Sequence, residues 1–326
     1  MPDMNRRIFL CVGLAGLSAC SRRRNSLRKL RVAAPLGLSL SSLHLSLEAG
    51  FFKEAGFDVE ILTITRSPEA LAALAGNKVE VLFAPQNVAI LNAVIRGLPV
   101  RIVAGREFIS ADCRRKAFLC GLRKNFPNGL LDLSVLKGKR VAASSSISFV
   151  HFALEEHLKT AGLTLKDVTV LNLSGPEAIA AMLKGAVDAQ LLFDESLLPE
   201  TGEELVFSRS FAEIHPNFQY GLILYGQTLR EADIRIGRRF LQAYFRGVRE
   251  FQRGRTPHFL KEFAAYYGVD SGKIEKLCRS HFTTDGSLDL GSLKVFCDWA
   301  FNRGYIPRPV EPSELVDLRF NVKANA

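Results

Sequence analysis

The sequence predicts an α/β chain of two lobes, with mainly parallel sheets flanked by helices and a helical C-terminal third. Three observations carry this. Apolar runs of strand length alternate with helices of about ten residues, the rhythm of βαβ units. The order strand, polar loop, helix occurs once from Leu30 and again from Lys139. After Tyr225 the strand pattern stops and helical periodicity takes over.

The elements follow in order. Leu30–Pro35 reads as a strand ended by proline, followed by the loop Leu36–Ser42. Leu43–Glu54 has helical apolar spacing and closes on Gly56. Phe57–Thr63 alternates as a strand. Pro68–Leu74 is a helix with Ser67 as its N-cap. Val79–Phe83 is a strand, Asn87–Arg96 a helix and Pro99–Ala104 a strand. The second round runs through strand Lys139–Ala143, helix Phe149–Ala161, strand Val168–Leu173, helix Pro176–Leu183 and strand Val187–Phe193. Tyr220–Tyr225 returns the chain to the first lobe. Helices are expected over Leu229–Arg253, Pro257–Tyr267, Ser271–His281 and Leu290–Arg303.

The head of the chain reads as an export address. Arg6 and Arg7 precede a short apolar run and small residues, the layout of a secretory signal. The arginine pair also fits twin-arginine export. Leu17-Ser18-Ala19-Cys20 resembles a bacterial lipobox, in which Cys20 would carry the lipid. Residues 1–31 hold eight basic side chains and one acid, so +7 of the chain's net +10 sits there. The remaining +3 over about 300 residues gives no reason to expect a nucleic-acid partner. Arg22, Arg23 and Arg24 would lie near anionic head groups. With Cys11 and Cys20 removed from the fold, Cys113, Cys120, Cys278 and Cys297 remain. They either pair locally, Cys113 with Cys120 and Cys278 with Cys297, or stay as buried thiols.

Ligands of doubly wound sheets sit outside the carboxyl ends of strands, which selects four loops. Ser39, Ser41 and Ser42 stand before a helix, where they either cap it or help bind an anion. Arg66 either faces an anionic ligand or is solvated. Gln86 follows an apolar strand and offers both donor and acceptor. Ser144, Ser145, Ser146 and Ser148 form the most promising loop, which either lets backbone approach a ligand closely or caps the following helix. After the next strand, Phe193 can stack and Asp194 can accept a hydrogen bond. There is no phosphate loop, dinucleotide fingerprint, metal-ligating histidine pair or nucleophile elbow in the sequence. No catalytic residue, metal or cofactor is expected.

Several stretches carry a resemblance. They are Glu48–Glu60, Ala70–Val81, Leu98–Ala104, Leu136–Ala142, Ala161–Leu173, Leu183–Ala189, Phe240–Phe251 and Cys297–Ile306. In order and spacing they resemble the type II periplasmic binding proteins of ABC importers, in the branch that binds nitrate, sulfonates, taurine and thiamine-pyrimidine precursors. The resemblance implies two lobes closing on a small solute, a membrane permease as partner and a monomer held by its lipid. It implies lobe 1 over residues 30–104 plus 223–326 and lobe 2 over 105–222, after a signal at 1–19 and a tether at 20–29. Hinges would lie near Ala104-Gly105 and Gly221–Gly226. A small sulfonate or nitrate-like anion leads as ligand, with a pyrimidine-type heterocycle second. Glu195 stands where relatives carry proline. The alternatives are an enzyme on the same fold, of thiamine-pyrimidine or menaquinone-pathway type, and a sensor lipoprotein.

Overall fold

The computed structural model describes residues 27–64, 66–113, 116–143, 147–198, 200, 204–275, 278–279 and 281–321. The export head, Cys20 and the loop serines Ser144, Ser145 and Ser146 lie outside the described residues. The strands, in chain order, are β1 (Arg28–Ala34), β2 (Phe57–Thr63), β3 (Val81–Pro85), β4 (Arg101–Gly105), β5 (Phe108–Ile109) and β6 (Lys116–Leu122). Then follow β7 (Arg140–Ala143), β8 (Thr169–Asn172), β9 (Ala189–Asp194), β10 (Leu205–Phe207), β11 (Phe218–Gln219) and β12 (Gly221–Tyr225).

Lobe 1 is built on a sheet of order β2-β1-β3-β12-β4 and lobe 2 on one of order β10-β6-β9-β7-β8. One strand in each sheet runs against the rest. In lobe 1 it is β12, antiparallel to β3 and β4. In lobe 2 it is β6, antiparallel to β9 and β10. These are the strands that follow each passage between lobes. Beside the crossings, β5 and β11 pair as a short antiparallel ribbon. Glycine is required there by space: a Cβ on Gly105 would lie 2.3 Å from Gln219, and one on Gly221 would lie 2.5 Å from Glu107.

Local structure departs from expectation in a few places. The helix expected over 43–54 is two helices, Ser41–Glu48 and Phe51–Glu54, because Gly50 turns left-handed at φ 75° and ends the first. Ser67 begins its helix but caps nothing with its hydroxyl. The helix expected from Leu229 is a single turn, Gln227–Arg230, followed by the long helix Ile234–Gln252, which Asp233 caps. The helix expected over Ser271–His281 does not reach Cys278 and Arg279, which are not helical. Strand β6 escaped the sequence reading because all seven of its residues are buried, leaving no alternation to detect.

Two apolar clusters form the core. One packs the helix Ile234–Gln252, through Phe240, Tyr244, Phe245 and Val248, against β1, β3 and β12. The other joins the lobes through aromatic rings. Phe152 of the helix Phe149–Lys159 meets Trp299 of the helix Leu290–Asn302 edge-on at 5.5 Å. Trp299 Nε1 donates to the buried Glu155 carboxylate at 2.8 Å, and Arg303 pairs with the same group. The following turn holds lobe 1, where Asn92 donates to the Tyr305 carbonyl.

Neither local cysteine pairing forms. The disulfide joins Cys113 to Cys278, 165 residues apart, while Cys120 and Cys297 are buried thiols. The reason is β6: it carries Cys120 four residues along an extended run, roughly 13 Å of strand that Cys113 would have to fold back across. Among the described residues no helix is long and apolar enough to cross a membrane.

Candidate functional site

The carboxyl ends of β1, β3, β4 and β9 converge with the start of β6 on one buried polar cluster. Arg106 and Glu107 follow β4 directly. They are 2% and 1% exposed and pair at 2.9 Å. Arg106 also donates to the Ser39 carbonyl at 3.1 Å, and its guanidinium lies 5.2 Å from the Phe83 ring centre. The Ser39 hydroxyl lies close to the Glu107 carboxyl. Gln86, after β3, donates to the Gln219 carbonyl at 2.6 Å. Main-chain bonds tie these positions together: Gln86 N–H donates to Tyr220 C=O, Tyr220 N–H to Glu107 C=O, and Arg106 N–H to Gly221 C=O.

On the lobe 2 side, Lys116 stands directly opposite Asp194 in the antiparallel β6–β9 ladder, and the two form a buried ion pair. The next residue, Ala117, holds a left-handed φ of 47°. That conformation is rare for an alanine and is the kind of local strain that gathers at binding sites. Phe193 is half-buried against Phe149 and Tyr220, with ring centres 5.8 and 5.5 Å away.

Burial sets the charge state of this cluster. Desolvation raises the Glu107 carboxyl, against the pull of Arg106 and the nearby Ser39 hydroxyl. Desolvation brings Lys116 down to about 8, although Glu107 and Glu195 oppose it. Tyr220 is held well above the usual phenol value, mainly by burial, and so stays a hydroxyl. His281, which also feels Lys116 and Arg106, is pushed well below its usual value by burial and stays neutral. Two cations, Arg106 and Lys116, thus lie among three acids, Glu107, Asp194 and Glu195, with burial drawing Glu107 toward its protonated form.

Four polar atoms of this cluster are buried without a hydrogen-bond partner: Gln86 Oε1, Arg106 Nε, Glu107 Oε1 and Glu107 Oε2, the last held by its ion pair with Arg106. Such groups cost about 1–3 kcal/mol each when left unpaired, so they call for an explanation. A ligand that both accepts and donates would supply one. In the structure the lobes meet closely here. Asn87 and Ser148 form an antiparallel bridge, and Phe149 N–H donates to Gln86 C=O at 2.9 Å across the cleft. A cavity of about 10 Å³ beside Pro35, Phe83 and Asn87 is lined by lobe 1 residues and by none of the cluster's charged groups.

The residues chosen from sequence divide clearly. Gln86, Phe193 and Asp194 belong to the cluster, and Ser39 touches both members of the Arg106–Glu107 pair. Ser41 donates to the Leu38 carbonyl and Ser42 bonds the Tyr244 hydroxyl, so both are turned inside lobe 1. None of these serines caps the helix with its side chain; Leu40 holds that position. Arg66 is the solvated alternative, its side chain 77% exposed and paired with Glu69 one turn on. Ser148 caps its helix by accepting from Val150 N–H. Sequence reasoning missed Arg106, Glu107, Lys116 and Tyr220. The rule that selected the other loops, applied to the end of β4, would have found the first two.

A family model described as NMT1/THI5 like matches residues 41–252. The chain is 28% identical over 199 residues to a putative aliphatic sulfonates-binding protein of Bacillus subtilis. That match covers 60% of this chain and 56% of the relative, so the chain spans little more than half of the relative's length. Among solved structures, the fold is similar to that of the alkanesulfonate-binding protein SsuA from Xanthomonas axonopodis pv. citri bound to MOPS. The TM-score is 0.70 at 20% identity, covering 89% of this chain and 98% of that one. The desulfurization enzyme DSZB shares the fold more distantly, with a TM-score of 0.60 at 14% identity over 90% of this chain and 97% of its own.

Proposed function

This chain belongs to the NMT1/THI5-like family, and from that membership we propose that it is the extracytoplasmic solute-binding component of an ABC importer, closing two lobes on a small sulfonate-type anion. The observation that carries the reading is the pair of buried ion pairs at the strand ends, Arg106 with Glu107 and Lys116 with Asp194, in which Arg106 Nε is left unpartnered. A sulfonate is a permanent anion whose oxygens accept several hydrogen bonds. Arg106, the Tyr220 hydroxyl and the Lys116 ammonium supply donors for it. Tyr220 and Phe193 give its carbon chain an apolar wall. Glu107 and Gln86 Oε1 can accept from an amino or hydroxyl group elsewhere on the solute.

In this reading lobe 1 spans residues 30–104 and 223–326, lobe 2 spans 105–222, and the crossings beside Gly105 and Gly221 act as hinges. Cleavage before Cys20 and acylation of its thiol hold the body at the membrane beside its permease, as a monomer. The test is a thermal-shift panel on the full mature chain with taurine, short alkanesulfonates, MOPS, nitrate and simple carboxylates. A sulfonate at 100 times its dissociation constant adds about 2.7 kcal/mol of stability. A shift confined to carboxylates or heterocycles, or no shift with any member, overturns the sulfonate reading. Loss of lipid labelling in Cys20→Ala tests the anchor separately.

A further inference from the structure

The positive charge of the folded body is concentrated on one helix face. Beyond the basic head, residues 32–326 carry a net +3. Residues 234–255 hold seven arginines and one glutamate, a net of +6, so the rest of the body is net negative by three. The helix Ile234–Gln252 is 19 residues long, about 28 Å. Its inner side buries Phe240, Leu241, Tyr244, Val248 and Phe251. On its outer side Arg235, Arg239, Gln242, Arg246, Arg249 and Arg253 recur at intervals of four and three, one continuous exposed stripe.

The acids beside this stripe do not cancel it. Asp233, Glu54 and Glu250 each take one arginine: Arg235, Arg246 and Arg253. Arg239 lies over the Phe57 ring, and Arg249 donates to the Thr284 carbonyl. Neither is ion-paired among the described residues. The acids of the neighbouring edge strand, Asp58 and Glu60, point the other way, because Phe57 and Val59 of that strand are the residues buried under the helix. The N-terminal segment leaves the body at the same place. Arg28 N–H donates to Gly56 C=O at 2.9 Å, and a Cβ on Gly56 would lie 4.0 Å from the Arg239 guanidinium. Seven residues separate Cys20 from Arg28, including Arg22, Arg23 and Arg24, a reach of at most about 28 Å.

We propose that this arginine face of lobe 1 docks on anionic lipid head groups and lays the body on the membrane with the helix Ile234–Gln252 along its surface. Charge complementarity and the exit of the tether beside the stripe both favour a lipid surface as the occupant. The proposal goes beyond solute binding and does not depend on acylation of Cys20. Each arginine held near an anionic surface strengthens binding about fivefold at low salt.

The test uses the full mature chain carrying Cys20→Ala, sedimented with vesicles of phosphatidylglycerol in phosphatidylcholine and with phosphatidylcholine alone. Binding is expected to the anionic vesicles only and to weaken as salt rises. The double variant R239Q/R249Q is expected to bind about 25-fold more weakly while unfolding at the same temperature. The same factor is expected in an R22Q/R23Q/R24Q background, which separates the helix from the tether. Equal binding by R239Q/R249Q, equal binding to neutral vesicles, or no binding to anionic vesicles at low salt would overturn the proposal, the last pointing to an acidic protein surface instead.

Discussion

Replacing Arg106 by methionine separates its structural role from its binding role. The side chain is 2% exposed, pairs with a carboxylate that is 1% exposed, and also holds the Ser39 carbonyl. Removing one partner of a buried ion pair costs about 3–5 kcal/mol, because the other charge is left uncompensated. Glu107 has an escape, since burial already raises its proton affinity. A carboxyl whose folded value lies above its unfolded value stabilises the fold most at low pH, and that stabilisation is lost as pH rises through the folded value. The deficit of R106M is therefore largest at neutral pH and shrinks as pH falls. Adding Glu107→Gln removes the orphaned charge, and the double variant should return to within about 1 kcal/mol of the parent. Sulfonate affinity should not return. A charge-assisted hydrogen bond is worth about 1.5–3 kcal/mol, so both variants should bind roughly 10- to 100-fold more weakly. Urea denaturation at two pH values and calorimetric titration read the two effects apart. A double variant that binds sulfonate as tightly as the parent would refute the placement of the ligand against Arg106.

Other consequences follow from the same geometry. Lys116 loses its proton near pH 8, so sulfonate affinity measured by titration between pH 7 and pH 9.5 should fall across that step; a flat profile would remove Lys116 from the site. The sign for stability is opposite: the unfolded lysine holds its proton to higher pH than the folded one, so Lys116 makes the fold more stable as pH rises from about 8 towards 10.5. The Cys113–Cys278 disulfide closes a loop of 165 residues, for which chain entropy gives about 5 kcal/mol as an upper figure. C113S/C278S should therefore unfold at distinctly lower urea, while reductant should leave its midpoint unchanged. Gly221→Ala places a methyl 2.5 Å from Glu107 and 2.9 Å from its backbone nitrogen. It should cost about 1–3 kcal/mol of stability and weaken sulfonate binding, whereas Gly97→Ala, with open space around it, should leave binding alone.

Much of the architecture was legible because the parallel strands are buried apolar runs bounded by turn residues. Val81–Pro85 and Ala189–Asp194 are examples, each followed by a loop that reaches the site. Gln86, Phe193 and Asp194 were selected because strand ends point to ligands in this class of sheet. Arg106, Glu107 and Lys116 were not, because charged residues are normally exposed and nothing local announces that three of them are buried together. Their burial is a property of the crossing strands, which bring residues 106, 116 and 194 into one place only after both sheets have formed. The Cys113–Cys278 bond was hidden for the same reason, its two halves meeting across the passage between lobes. The arginine stripe is written plainly in the spacing from 235 to 253. The whole-chain balance concealed it, because the remainder of the folded body is acidic.

The most direct measurement is calorimetric titration of the mature chain with taurine and a short alkanesulfonate, followed by analysis of the recovered solute. One solute bound per chain and returned with its carbon–sulfur bond intact is the expected result for a binding protein. Absence of binding by any sulfonate, or release of sulfite during the titration, would contradict it.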